Sequence, residues 1–436
     1  VGGGGGGAAC ASGVTASGGK VGTVGVLQLA CITFFAVAGG PYGFEDTVGA
    51  AGGTITLIAL AIIPFIWSLP LALLTAELSS MIPETGGHII WVDRAFGHFI
   101  SFQNGIWSFY TSALDNALYP VLFCDYLEEA LYPHSEEKLP VLISYAIKLA
   151  LVVFITQLNV RGVDVVGQAA MLFAVAVMAP FVVMCAMGGA KVGSGLRSAL
   201  AIPREEPVDW GKFLAVILWN TSGFDCAGTL GEEVPDPGNT YPQALILAVF
   251  MVVTTYAVPT MVGLTVLSDT TKWEDGAFVA IAELTGGKWL GDWMGLAGAL
   301  SATGMLCTLA CTSSRQLAGM ASTGAVHKIF AAKHPVYGTP YVSIYLVSFL
   351  AFAFTAFDFG VLAEADMFFY SASTVLKFAA LVRLRTKMKD TPRPFSIPGG
   401  IVGVTIMSVA PVLLCLLTIV TCSGLCFKMG GVGVAV

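Results

Sequence analysis

The sequence predicts an all-α polytopic membrane protein whose first and sixth spans are interrupted within the membrane. Three observations point there. Of 436 residues, 56% are hydrophobic and only 11% charged, with a mean hydropathy of +0.80, whereas a soluble domain carries about 25% charged residues. The apolar residues gather in runs long enough to cross a hydrocarbon core of roughly 30 Å as helices. Two of those runs contain stretches that no regular helix can hold. The formal charge of −7 leaves no basic face and excludes a nucleic-acid partner.

Along the chain, residues 1–21 open with a run of Gly, Ala and Ser that has no initiator Met and no cleavable signal pattern, and they predict a disordered cytosolic tail. Residues 22–426 form the transmembrane domain. Apolar runs bounded by Gly, Pro or charge predict eleven spans, near 22–51, 54–80, 99–127, 139–158, 163–188, 212–230, 241–267, 290–320, 340–357, 361–382 and 401–426. Residues 427–436 are a short remnant with no room for a twelfth span. Met81–Gly97, with His88, Trp91, Asp93 and Arg94, predicts an amphipathic helix on the membrane surface, and Trp273–Gly286 reads similarly. A cytosolic N-terminus puts the densest basic cluster, Arg383 to Arg393, inside and the acidic loop Glu128, Glu129, Glu136 and Glu137 outside. The cysteines sit mostly in apolar runs, and neither they nor the histidines have metal-ligand spacing.

The first run reads Gly39-Gly40-Pro41-Tyr42-Gly43-Phe44-Glu45-Asp46. Each Gly costs a helix about 1 kcal/mol and each Pro about 3 kcal/mol relative to Ala. The sixth reads Trp219-Asn220-Thr221-Ser222-Gly223-Phe224-Asp225, a polar stretch inside an apolar run. Unwound backbone survives in a membrane only around a buried cavity, where many carriers hold their substrates. Gly43-Phe44-Glu45 and Gly223-Phe224-Asp225 repeat one Gly-Phe-acid pattern five spans apart. An offset of an odd number of spans makes the second copy enter the membrane inverted, which predicts a 5+5 inverted repeat with discontinuous helices 1 and 6. Chance recurrence of Gly-Phe at helix ends is the competing explanation. The two broken spans are expected side by side and antiparallel, with their breaks facing one cavity.

Charges within the membrane each need an account. Glu45 either caps the outer half of span 1 or receives a substrate ammonium, whereas Asp46 reads as a cap. Asp225 lies in the second break, beside Trp219, whose ring can cover a cation. Asp115, in the middle of span 3, must pair, bind substrate or take up a proton, which makes it the proton-coupling candidate. Glu232 and Glu233 read as a gate or cap at the cytosolic exit, and Glu77 and Arg94 as an ion pair at that mouth. Lys377 lies near enough to the end of span 10 to snorkel, and Lys148 in span 4 awaits a carboxylate partner. All five histidines fall outside the spans, which disfavours a histidine proton relay.

The residues Gly39 to Asp46, Glu77-Leu78 with Pro83-Glu84-Thr85-Gly86-Gly87, and Leu230-Gly231-Glu232-Glu233-Val234-Pro235 resemble the amino acid–polyamine–organocation superfamily. Asp115-Asn116-Ala117-Leu118-Tyr119-Pro120, Tyr337-Gly338-Thr339-Pro340 and Pro392-Arg393-Pro394-Phe395 are similar to its plant and protozoan polyamine uptake transporters, in the L-type amino acid transporter branch. The resemblance implies the leucine-transporter type of fold and proton-coupled uptake of polyamines such as putrescine and spermidine, at the plasma membrane and without a cofactor. It implies a substrate site at Gly39, Gly40, Gly43, Glu45, Asp115, Trp219, Asn220 and Asp225. The chain departs from that pattern at Lys377 and at Gly304-Met305-Leu306-Cys307-Thr308-Leu309-Ala310-Cys311 in span 8, where such relatives carry acids, which makes the site less anionic.

A proton-coupled or exchange carrier of amino acids is the alternative. A channel or receptor is more distant: no filter motif or ring of pore charges is present, and eleven spans do not fit a seven-helix receptor. A membrane enzyme would need catalytic groups clustered at one depth, and the scattered histidines supply none.

Overall fold

Backbone polar groups buried in hydrocarbon must bond within their own segment, and this chain meets the requirement with helices. A computed structural model describes residues 24–131, 139–189, 192–200, 207–274, 276–356 and 359–421. The predicted tail and C-terminal remnant lie outside the described residues.

Helix α1 (Val26–Val37) stops short, and α2 (Glu45–Ala51) follows after an irregular turn. Helix α3 (Gly53–Ile63) continues through a π-helical turn at Pro64–Ser68 into α4 (Leu69–Met81). Next come α5 (His88–Phe96), α6 (His98–Leu131), α7 (Val141–Arg161), α8 (Val163–Gly188) and α9 (Val192–Leu200). Helix α10 (Trp210–Asn220) ends in two 3-10 turns, Phe224–Thr229 and Gly231–Glu233. The chain continues through α11 (Pro237–Val266), α12 (Ala277–Gly286), α13 (Lys288–Ser322), α14 (Tyr341–Ala353), α15 (Phe359–Lys387) and α16 (Gly400–Thr421). Among the described residues, seven helices are long and apolar enough to cross a membrane: Gly53–Met81, Val141–Arg161, Val163–Gly188, Pro237–Val266, Lys288–Ser322, Ala365–Lys387 and Gly400–Val420.

Burial sorts these helices into layers. The apolar window of α13 is 89% buried, against 22% for α7 and for α16. Helix α13 packs against α1, α6, α7, α8, α12 and α14, whereas α7 and α16 present Leu142, Val153, Phe154, Ile406, Leu413 and Val420 outward, as lipid-facing helices do. Close approach around α13 depends on small residues. A Cβ added at Gly319 would lie 2.4 Å from the Gly86 Cα, so two backbones touch there.

That contact also fixes where the next helix runs. Helix α5 does not lie on the surface: His88, Ile89, Ile90, Trp91, Val92 and Ala95 are all buried. Gly86 and Gly87, at φ +113° and +50°, turn the chain inward before it. The expected Glu77–Arg94 pair is also replaced. Glu77 is buried and pairs with Arg385 (2.5 Å) and Arg393 (3.4 Å), while Arg94 pairs with Glu84 at 3.0 Å. Glu233 holds the buried Arg315 through two bonds of 2.5 and 2.7 Å, and Glu232 meets Lys333 at the exposed rim.

Candidate functional site

The two irregular turns meet. Gly223 adopts φ +97°, and a Cβ there would lie 2.7 Å from the Ala36 carbonyl oxygen, so only glycine lets the turns approach this closely. Gly39 accepts a 2.8 Å hydrogen bond from the Ser301 hydroxyl at its carbonyl, and Gly43 accepts one of 3.3 Å from the Asn220 side chain. Asn220 is fixed in turn by the Tyr256 hydroxyl, which donates to its side-chain oxygen at 3.0 Å. Ser68 donates to the Thr221 carbonyl at 3.2 Å, and the Trp67 indole donates to the Ser222 hydroxyl at 3.2 Å. The Gly223 N–H donates to the Tyr370 hydroxyl at 3.0 Å. Backbone groups freed by the breaks are thus recaptured by side chains from α10, α11, α13 and α15 and from the π turn before α4.

Beside the turns lies a cavity of about 60 Å³. Helix α6 contributes Ser108, Ser112, Asp115 and Tyr119; α15 contributes Asp366, Tyr370, Ser373 and Lys377; α10 and its turn contribute Trp219, Ser222, Gly223 and Asp225. Thr312, Ser313 and Gln316 of α13 and His88 of α5 complete the polar wall. Spacings of three, four or seven residues put the α6 group and the α15 group each on one helical face.

Three carboxylates converge here, with different company. The Tyr119 hydroxyl donates to Asp115 Oδ1 at 3.0 Å. Both Asp225 oxygens are engaged: Oδ1 accepts from the Tyr370 hydroxyl at 2.8 Å and Oδ2 from Lys377 Nζ at 2.5 Å, with His88 Nδ1 3.8 Å away. Asp366 is buried, and its Oδ1 has no hydrogen-bond partner. Lys377 Nζ also stands 4.6 Å from the centre of the Tyr370 ring.

Of the residues singled out from sequence, Asp115, Trp219 and Asp225 line the cavity. Gly39, Gly40, Gly43, Glu45 and Asn220 do not line it; the three glycines and Asn220 build the turns beside it, and Glu45 is buried in the first turn of α2. Lys377 does not snorkel. It is 2% exposed, and α15 runs on to Lys387, so about 15 Å of helix at 1.5 Å per residue separates it from that end. His88 lies outside the spans but faces the cavity, because α5 turns inward and its Nε2 meets the Ser108 hydroxyl at 3.1 Å. Lys148 stacks over Tyr145 at 5.3 Å. Sequence reasoning missed Asp366. Its signal was the polar face Asp366, Tyr370, Ser373, Lys377 on an otherwise apolar helix.

Residues 24–425 match the sequence model of the amino acid permease family. A probable polyamine transporter of Arabidopsis thaliana is 36% identical over 422 residues, covering 93% of this chain and 84% of the relative. Polyamine transporter RMV1 of the same plant is 37% identical over 396 residues, covering 91% and 80%. Polyamine transporter PUT1 of Oryza sativa subsp. japonica is 38% identical over 403 residues, covering 90% and 72%. Similarity of this extent, running through both irregular turns and every helix that lines the cavity, makes the chain an integral membrane protein of the amino acid permease family, within the amino acid–polyamine–organocation superfamily.

Proposed function

We propose that this protein is a secondary active transporter that takes up polyamines of the putrescine and spermidine type, driven by protons, at the plasma membrane. The observation that carries the reading is the meeting of Asp115, Asp225 and Asp366 in one buried cavity whose single lysine, among the described residues lining it, is Lys377. Unlike charges attract strongly when both are desolvated, so such a site favours organic cations and opposes free anions. Trp219, Tyr119 and Tyr370 supply ring surface for a methylene chain between ammonium groups. A cavity of about 60 Å³ holds a few waters, so substrate entry requires the surrounding helices to part.

The 5+5 inverted repeat is part of the same proposal. Gly43 and Gly223 occupy equivalent places in the repeated tripeptide and both have positive φ, +76° and +97°. Their two turns touch beside the cavity, as equivalent breaks in paired repeats would. Asp115 carries the coupled proton. The glycines of the first break, with Glu45 and Asn220, shape the site around Asp115, Trp219 and Asp225.

The test uses purified protein in liposomes with an acidic exterior. Labelled putrescine should accumulate, a protonophore should abolish the accumulation, and excess spermidine should compete while leucine does little. Potent inhibition by leucine with none by polyamines would reverse the assignment towards an amino acid carrier.

A further inference from the structure

Resting on the polyamine reading, we propose that the substrate ammonium is held by Asp115 and Asp366, and that Lys377 is a tethered cation which fills the place of a further ammonium on Asp225. Asp225 is already satisfied: Lys377 and Tyr370 occupy its two oxygens at 2.5 and 2.8 Å. Ion and counter-ion are each 2% exposed at the side chain or less. A soluble amine reaching Asp225 must displace an ammonium that is covalently part of the site, and whose effective concentration no free ligand matches. Displacement would also strand the lysine charge in the interior, which is strongly unfavourable.

The opposite wall is different. Asp366 Oδ1 is buried with no partner, and among the described residues Asp115 meets a single hydroxyl, that of Tyr119. The two carboxylates line the same cavity from helices that pack against each other, α6 and α15. A buried acceptor without a donor is costly, and an entering ammonium carries donors for both acids. Lys377 thereby shortens the anionic track by one position. The protein should select diamines over longer polyamines.

Uptake kinetics in liposomes test this with putrescine and spermidine on wild type, D366N, K377M and the charge-neutral K377M/D225N. In D366N the KM for putrescine should rise by about tenfold or more. In K377M the spermidine-to-putrescine ratio of kcat/KM should rise by about tenfold, and K377M/D225N should lose that gain. A D366N KM within about twofold of wild type, or an unchanged ratio in K377M, would overturn the assignment. If K377M does not fold, the remaining variants decide. A larger KM rise in D366N than in K377M/D225N sustains the proposal, and the reverse returns the ammonium to Asp225 and overturns it. Wild-type uptake of leucine without putrescine would sink the polyamine reading alone. The same variant comparison, on the leucine ammonium, would still decide the subsite.

Discussion

Replacing Gly223 by alanine tests whether the two irregular turns must touch. The residue has φ +97°, where an L-amino acid pays about 1–2 kcal/mol because its Cβ crowds the following carbonyl. The new Cβ would also sit 2.7 Å from the Ala36 carbonyl oxygen. That neighbour is backbone and cannot swing aside, so relief requires the turns to separate, at about 1–3 kcal/mol for such overpacking. Together these terms lower stability by roughly 2–5 kcal/mol, a factor of about thirty or more in the ratio of folded to unfolded protein. Gly324 provides the control, because it has φ +81° with nothing within 4 Å of an added Cβ, so G324A carries the backbone term alone. Denaturation of the purified protein in detergent, followed by tryptophan fluorescence, should therefore place G223A clearly below G324A, which in turn lies slightly below wild type. Putrescine uptake should fall in G223A and persist in G324A. Equal stability of the two variants would refute the claim that backbone contact between the turns holds the site together.

Two further variants probe the charges. Asp115→Asn keeps the shape of the side chain but cannot exchange a proton, so uptake should lose its dependence on external pH; a variant retaining both rate and pH profile would remove Asp115 from coupling. Glu233→Gln should cost about 2–4 kcal/mol in the same denaturation assay, because Arg315 is 1% exposed at its side chain and loses a bidentate counter-ion. Glu232→Gln, whose partner Lys333 is 66% exposed, should cost less than about 1 kcal/mol.

The breaks were legible in sequence because they are local. Three glycines and a proline in one run, and Asn-Thr-Ser-Gly in another, oppose helix whatever surrounds them. Asp115 and Asp225 were legible for a similar reason, as carboxylates too deep to reach water. Residues whose meaning depends on another helix were harder. Lys377 looked close to a span end because the sequence does not say where α15 stops, and its partner Asp225 is 152 positions away. In sequence His88 reads as part of a surface helix because its neighbours are amphipathic, yet the Gly86–Gly319 contact draws that helix into the protein. Glu45 belongs to the same repeated tripeptide as Asp225, but the local pattern could not tell that one faces the cavity and the other lies beside it.

The near-complete burial of α13 has a consequence for how the protein is made. A helix that meets protein on every side has little need of a greasy exterior, and its mean hydropathy is 1.5, against 2.1 to 2.5 for Gly53–Met81, α7, α8, α11 and α16. Ser301, Thr303, Thr308, Thr312, Ser313, Ser314, Arg315 and Gln316 all reside in it. A segment so composed partitions weakly from an insertion channel into lipid, where an arginine alone counts about 2.5–3.5 kcal/mol against entry. Its threonines and Ser314 bond to carbonyls of their own helix, but Ser301, Ser313, Arg315 and Gln316 find partners on Gly39, Asn116, Glu233 and Ser112, all synthesised before it. Order of synthesis is therefore part of the folding information: most of the helices around the centre of the molecule precede it in the chain, and α14 closes against it afterwards.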